Sequence, residues 1–556
     1  MIITVVVVFM FFLFQFAIFN IGWESTMLKN HETEKNSLPV SSVNIEKTNS
    51  TNQEIAAMLG EPQYFVISTS RDAYTKNITK TLELMKRSYA VYQSLDELPA
   101  KLPREFIGLI ICEENLDNIG NIDILFDLAE KGSDIVFAKR FDTASSNYQQ
   151  YYDRFGVMTT GKTYEHTGID FLNKILISGI FFDANVTTVV NEVALNGKCL
   201  IFAVCGDKDM DNYQERNPVI WRTYFGSGAM YFFNNELLSD FYSVGILTGI
   251  LSMDKDVYIY PIVNANMVML DGLPYFSTEN DKSLMKTYNR DTAQFQIDTI
   301  WTDLLSITKQ FDLKYTLYPK IGFGQQTVES ELLETMGKMI SINEFEMGIY
   351  PGTIFSKTFP NYKRSSSLRY VTNETVNRID NDASNFSYTK DGIVNVPIVS
   401  RTMTAERVSR APGEEPDNNL KFRAFSIASA FGYIAHSCDF LTIFEDSGDR
   451  DLWSGYKLNF IEEYYPLIKT YEYLEVNTVT EGGEKIRNYL DIVPKVTVLE
   501  NEIALSVSKD CESYYILRTT RDITGTKGCT AEKLNNDFYI VKMAGKDCLI
   551  YTKKGL

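Results

Sequence analysis

The chain has 556 residues, 44% of them apolar and 13% aromatic, which is ample for several buried cores and excludes a disordered or collagen-like polymer. At roughly 150 residues per domain, the length predicts three to four domains. The 54 basic and 72 acidic residues leave a net charge of −18, so the surface repels phosphate backbones and nucleic acid is excluded as a partner class.

Residues Met1 to Ile21 are apolar apart from Thr4, Gln15 and Asn20, long enough as a helix to cross ~30 Å of hydrocarbon. The first basic residue is Lys29 and no small-x-small cleavage site follows, so the run reads as an uncleaved anchor rather than a signal peptide. The missing basic flank also points to a start upstream of Met1. A single-pass protein of the cell membrane with an extracytoplasmic body is expected from the position of the anchor and the lack of a second span. Residues 22–58, rich in Ser, Thr, Asn, Glu and Lys, read as a solvated stalk.

Residues 59–259 alternate strand and helix. Tyr64–Ser68, Phe106–Cys112 and Asp134–Phe137 are strand candidates, with helices over Ala73–Ser88 and Ile122–Lys131. Leu200–Cys205 and Ala229–Phe233 add later strands. Continuous apolar strands between helices predict a parallel, doubly wound sheet of the flavodoxin or amidotransferase kind. Amidotransferase chemistry is not expected. Cys205 lacks a glycine-flanked elbow, and no histidine follows it until His436. The carboxylates of Glu113 and Glu114 disfavour a thiolate at Cys112. The seven cysteines contain no C-x-x-C and read as buried thiols, with one pair conceivable in the last fifty residues.

Residues 260–477 predict a (β/α) barrel, irregular or incomplete. The run V-Y-I-Y-P-I-V-N-A-N-M-V-M-L-D-G-L-P-Y-F, Val257 to Phe276, reads as a buried strand ending in Asp271, followed by a Gly-Leu-Pro turn. A carboxylate at the C-terminal end of a barrel strand is where such folds put their chemistry. A helix over Thr292–Lys309, a strand over Lys314–Tyr318, a helix over Glu329–Met339 and a strand over Glu346–Tyr350 continue the alternation. Asp207–Asp211 and Asp446–Asp451 read as solvated polar loops, the latter lacking the spacing and terminal Glu of a calcium loop. Residues 478–556 hold short alternating runs between Asp, Gly, Asn and Lys turns, the pattern of a small β-sandwich. The expected class is thus multidomain α/β: transmembrane anchor, doubly wound domain, barrel and C-terminal all-β module.

Three segments carry a family resemblance: P-I-V-N-A-N…L-D-G-L-P, M-G-K-M-I…F-E-M-G-I-Y, and F-G-Y-I-A-H-S-C-D-F followed by W-S-G-Y…E-E-Y-Y-P-L-I. In these the chain resembles the membrane-anchored polysaccharide deacetylase-like proteins of bacterial Pel-type exopolysaccharide operons, a family long described as a domain of unknown function. The resemblance implies metal-dependent de-N-acetylation of an amino-sugar polymer. An Asp-Asp pair would supply base and metal ligand, and an H-x-x-x-H pair would complete the site.

This chain departs from that pattern at every ligand. The Asp-Asp pair reads Asp271-Gly272, and the two histidine positions fall on Tyr350 and Ile354. Glycine and isoleucine offer no ligating side-chain atom, and tyrosine is a poor substitute for imidazole. Only His31, His166 and His436 occur in the whole sequence, so no shift of frame restores the pair. No metal and no other cofactor is therefore expected. The candidate catalytic residues are Asp271, His436 and Asp439, with His436 also readable as a hydrogen-bonded core histidine. The candidate sugar-stacking residues are Tyr275, Tyr350 and Trp453. The favoured reading is a non-catalytic polysaccharide-binding or scaffold protein meeting an amino-sugar polysaccharide and exopolysaccharide synthase subunits. The alternative is an active de-N-acetylase or other glycan hydrolase rebuilt around Asp271, His436 and Asp439.

Overall fold

A computed structural model describes residues 60–172, 175–177, 183–206, 212, 215–278, 281–321, 330–348, 370–371, 376–380, 382–402, 418–445, 451–535 and 537–554. The expected anchor and stalk, Tyr350, Ile354 and the Asp207–Asp211 loop lie outside these residues, as do residues 446–450. No described helix is long and apolar enough to cross a membrane. The residues from Asn49 to Leu556 form one compact unit, a mixed α/β assembly of several sheets.

The first sheet has nine strands: β1 Tyr64–Ile67, β2 Tyr89–Tyr92, β3 Gly108–Ile111, β4 Asp134–Phe137, β5 Val157–Phe171, β6 Asp183–Leu195, β7 Leu200–Cys205, β8 Pro218–Phe225 and β9 Gly228–Phe233. Their order is β2-β1-β3-β4-β9-β8-β7-β5-β6. Strands β2, β1, β3, β4 and β9 run parallel, and helices α1 (Ala73–Leu84) and α2 (Asp123–Glu130) lie in their crossovers. From β9 onward every pairing is antiparallel. Only half of the sheet is therefore doubly wound. The other half is built from hairpins, because the connections there are too short to hold a crossover helix.

Helix α3 (Val244–Ser252) leads into β10 (Val257–Ile262) and β11 (Ala265–Phe276). The predicted single strand over Val257–Asp271 is thus two strands, parted at Asn264, whose φ is +58°. Strand β11 also runs on past Asp271, through a bulge between Asp271 and Tyr275. Helix α4 (Trp301–Phe311), β12 (Tyr315–Ile321), helix α5 (Ser330–Ile342), β13 (Glu346–Gly348), β14 (Tyr370–Val371), β15 (Val376–Ile379), β16 (Val394–Pro397) and β17 (Ser400–Arg401) follow. Helix α6 (Asn418–Phe431), β18 (Tyr433–Asp439), the short helix α7 (Leu441–Glu445), helix α8 (Leu452–Thr470), β19 (Val476–Asn477) and helix α9 (Val479–Asp491) complete this part. The parallel sheet runs β14-β13-β12-β11-β18-β17, with β19 against the start of β11. Among the described residues its ends do not pair with each other.

Residues paired across parallel strands share a face, and successive residues alternate faces. One face of β11–β18 presents Val268, Leu270, Ile434 and Cys438 to a core shared with Trp301, Leu304, Phe460 and Tyr464, the outer helix layer. The other presents Met267, Met269, Tyr433 and Ala435 to Val376, Val394, Val479 and Ile486, so α9 and the β15–β16 pair fill it. Gly482 and Gly483 make that filling close. A Cβ on Gly482 would overlap Met267, and one on Gly483 would overlap Val376. Glu346, buried on β13, holds the start of α9 by accepting from the Thr480 N–H at 3.1 Å, and burial pushes its carboxyl up.

The C-terminal strands are β20 Pro494–Val498, β21 Glu502–Val507, β22 Ser513–Thr519, β23 Asp522–Lys527, β24 Cys529–Lys533, β25 Phe538–Met543 and β26 Asp547–Lys553. They form two four-stranded sheets, β10-β22-β25-β24 and β20-β21-β26-β23, packed over Ile259, Leu505, Leu517, Val541 and Ile550. One strand of this all-β part comes from Val257–Ile262, far upstream. All seven cysteines are free thiols.

Candidate functional site

Strands β12, β11 and β18 put Tyr318, Asp271 and Asp439 side by side in register, at the last residue of β18 and just before the β11 bulge. Asp271 is only 8% exposed, and its carboxylate is clasped end-on by Arg378 of β15. Nη1 donates to Oδ1, and Nη2 donates to Oδ2 at 2.7 Å. Ser437 of β18 donates to Oδ2 at 2.6 Å and accepts from Arg378 Nη2 at 3.2 Å. The Arg378 Nε donates to Asp380 at 2.7 Å, and its guanidinium lies 5.3 Å from the centre of the Tyr318 ring. Arg378 thus meets two carboxylates and an aromatic face, the fork geometry that makes arginine–carboxylate pairs strong.

Asp439 faces the same way as Asp271, but its Oδ1 accepts from the Leu441 N–H at 2.9 Å and so caps α7. His436 points to the opposite face of the sheet. It is buried against the Tyr464 ring, with centroids 4.6 Å apart. Its Nδ1 is 2.8 Å from Ser400 Oγ and its Nε2 is 2.8 Å from Thr402 Oγ1. Burial alone pulls its pKa from 6.5 down to about 3. A neutral core imidazole on the far side of the strand cannot exchange protons with a group on Asp271. The structure therefore does not bring Asp271, His436 and Asp439 together.

The stacking residues are also placed elsewhere. Tyr275 is buried against Phe444, rings parallel and 5.0 Å apart, with its backbone held on both sides by the Gln296 amide. Gln296 opens a π-helical turn over Gln296–Ile300, which is what aims its amide at β11. Trp453 is buried beside Phe440 and Tyr456 and donates to Asp303 at 2.8 Å. Asp451, at the end of the predicted polar loop, caps α8 through Ser454 and accepts from Tyr288 at 2.7 Å. Both aromatics pack rather than line a cleft.

The residues present do not fit the metal that the family resemblance implies. Gly272, where the resemblance would place a second aspartate, has a φ of +76°, and a Cβ there would come 2.6 Å from Leu441 Cδ2. A carboxylate at 272 would therefore need both a strained backbone and a displaced neighbour. Asp271 already has a cation, Arg378. Among the described residues no group of three or more His, Cys, Asp or Glu converges to hold a metal ion. Sequence reading missed Arg378, Ser437 and Tyr318. An arginine between Val376 and Ile379 in the short strand V-N-R-I was an available sign, since a guanidinium buried in a strand requires a carboxylate partner.

Comparison with known proteins supports a deacetylase-like fold. Residues 173–339 match the profile of a family described as an uncharacterised protein conserved in bacteria, DUF2194. The crystal structure of Agd3, described as a novel carbohydrate deacetylase, superposes with a TM-score of 0.55 over 89% of this chain and 99% of its own, at 8% identity. An exo-beta-1,4-mannosidase from Opitutaceae bacterium strain TAV5 aligns over 33% of this chain and 32% of its own, at 15% identity and a TM-score of 0.24. A putative ThuA-like protein from Bacteroides uniformis aligns over 34% of this chain and 90% of its own, at 11% identity and a TM-score of 0.25. No curated protein matches the chain.

Two outcomes follow from this geometry. Replacing Asp271 by Asn removes the buried one of the two carboxylates that meet the Arg378 guanidinium, leaving Asp380 on its Nε. Chemical denaturation should show a loss of about 3–5 kcal/mol, while the double variant Asp271→Leu/Arg378→Met recovers most of it. His436 binds a proton in the unfolded chain below pH 6.5 but resists it in the folded protein until about pH 3. Its contribution is therefore complete above pH 6.5 and is lost as pH falls towards 3, at about 1.4 kcal/mol per unit. His436→Asn should flatten the pH dependence of stability by that slope across this window.

Proposed function

We propose that the chain is a polysaccharide-binding or scaffolding protein of an exopolysaccharide system, carried on a deacetylase-like fold that does not perform metal-dependent de-N-acetylation. The observation that carries this reading is the Asp271–Arg378 pair. The one acidic side chain retained from the deacetylase pattern is held by two guanidinium nitrogens and a serine hydroxyl, at the place where that chemistry needs a base beside a metal-bound water. The likeness to a carbohydrate deacetylase along nearly the whole of Agd3 supports an amino-sugar polysaccharide as the ligand class. The apolar run Met1–Ile21 supports anchoring in the cell membrane with the body outside, where it would meet the polymer and synthase subunits of a Pel-type system. The alternative, an active de-N-acetylase or other glycan hydrolase built on Asp271, His436 and Asp439, has no geometric support. Those three side chains are divided between two faces of the sheet and a helix cap.

The test uses the full chain purified with zinc and an N-acetylglucosamine hexamer. The expected result is binding of the hexamer with no acetate released above a no-protein control, for the wild type and for Arg378→Ala alike. Acetate release that depends on zinc and disappears in Asp271→Asn would overturn the reading.

A further inference from the structure

With Tyr275 and Trp453 buried, the proposed polysaccharide binding has no surface at the barrel end among the described aromatics named for it. The first sheet offers one. Strands β5 and β6 form a long ribbon of 15 and 13 residues, yet β5 pairs with β7 only over Ile169–Phe171. Register shifts at Val157/Thr159, Thr160/Thr163 and Thr167/Ile169 mark three bulges, the devices that bend a strand. At its far end the ribbon returns to the start of β7, where Asn196 N donates to Gly156 O at 2.8 Å and Cys199 Sγ donates to the same carbonyl. Between the ribbon and β7–β8 lies an open pocket of about 1140 Å³.

The lining decides what this space accepts. Lys162 and Arg216 set two cations against Glu192 and Glu215, with Arg216 also paired to Asp170, and Thr159 brings a hydroxyl. A phosphate or nucleotide would need an excess of cations, and a lipid would need an apolar wall. A balanced set of donors and acceptors suits a ligand whose hydroxyls are both at once. The Tyr164 ring lines the pocket half-buried, packed against the core and at 87° to His166 with centroids 6.2 Å apart, and is an aromatic side chain in the lining for the apolar side of a sugar ring. His166 Nε2 donates to the Gly206 carbonyl at 2.9 Å, which fixes the imidazole. Burial pushes the Cys205 and Cys199 thiols up, so neither of these described lining cysteines is an activated nucleophile. The volume exceeds the ~300–1,000 Å³ of most small-molecule sites and the pocket is open, which suits a chain passing through rather than an enclosed metabolite.

We infer that this pocket, and not the end of the parallel sheet at Asp271, is where the protein holds an amino-sugar chain. The inference rests on the function proposed above and adds the site to it. Calorimetric titration of the full chain with an N-acetylglucosamine hexamer tests it, using Tyr164→Ala, Glu192→Gln and, at the sheet end, Arg401→Ala. Weakening of tenfold or more in Tyr164→Ala, with several-fold weakening in Glu192→Gln and wild-type affinity in Arg401→Ala, is the expected result. If Tyr164→Ala fails to fold, Glu192→Gln carries the comparison, since Glu192 is exposed. Wild-type affinity in both pocket variants, or loss confined to Arg401→Ala, would overturn the site and leave the proposed function standing. No binding by the wild type would overturn both.

Discussion

The ion pair between Asp271 and Arg378 is the constraint on which the centre of this protein depends. It joins two residues 107 positions apart, with side chains only 12% and 8% exposed, and so ties the β15–β16 pair to β11 just before its bulge. Each charge alone would be prohibitively costly to bury, and together they satisfy each other only because the fork is aligned and Ser437 and Asp380 take up the remaining hydrogen-bonding capacity. The close seating of α9 through Gly482 and Gly483 helps to bring Val376, and with it Arg378, against the sheet. Backbone packing, helix placement and a buried charge pair are therefore one arrangement.

On the proposed reading, that arrangement is what stands in the way of metal-dependent deacetylation at Asp271. Asp271 is paired with a guanidinium. Gly272 beside it is a left-handed glycine pressed against Leu441. His436, a catalytic candidate from the sequence, lies on the other face of the strand, buried and neutral. Strand alternation makes this last point unavoidable, because Ser437, one residue along, is the side chain that reaches Asp271. Substitution of one residue would leave the other two obstacles in place.

Much of the fold was legible in the sequence where burial on both faces writes a continuous apolar run. Tyr64–Ile67, Asp134–Phe137, Leu200–Cys205 and Gly228–Phe233 are such strands. The ribbon β5–β6 was not legible, because its mixed Thr, Val, Asn and Glu residues are interrupted by bulges that destroy the period of two. Strands β23 and β24 were missed for a related reason: they are mostly polar, and only their partners reveal them. The site was legible in part. Asp271 stood out at its strand end, whereas its partner Arg378 lies across a long insertion that no local spacing predicts. Tyr275 and Trp453 show the limit of reading aromatics as ligand surfaces, since both are consumed by packing in a chain with this much aromatic core.

The account's central claim is that the chain's own guanidinium occupies the place of a metal at Asp271. The most direct measurement is anomalous diffraction at the zinc edge from crystals grown with zinc. The account predicts Arg378 seated on Asp271 and no anomalous peak within coordination distance of that carboxylate. A peak bound to Asp271, with Arg378 displaced, would contradict it.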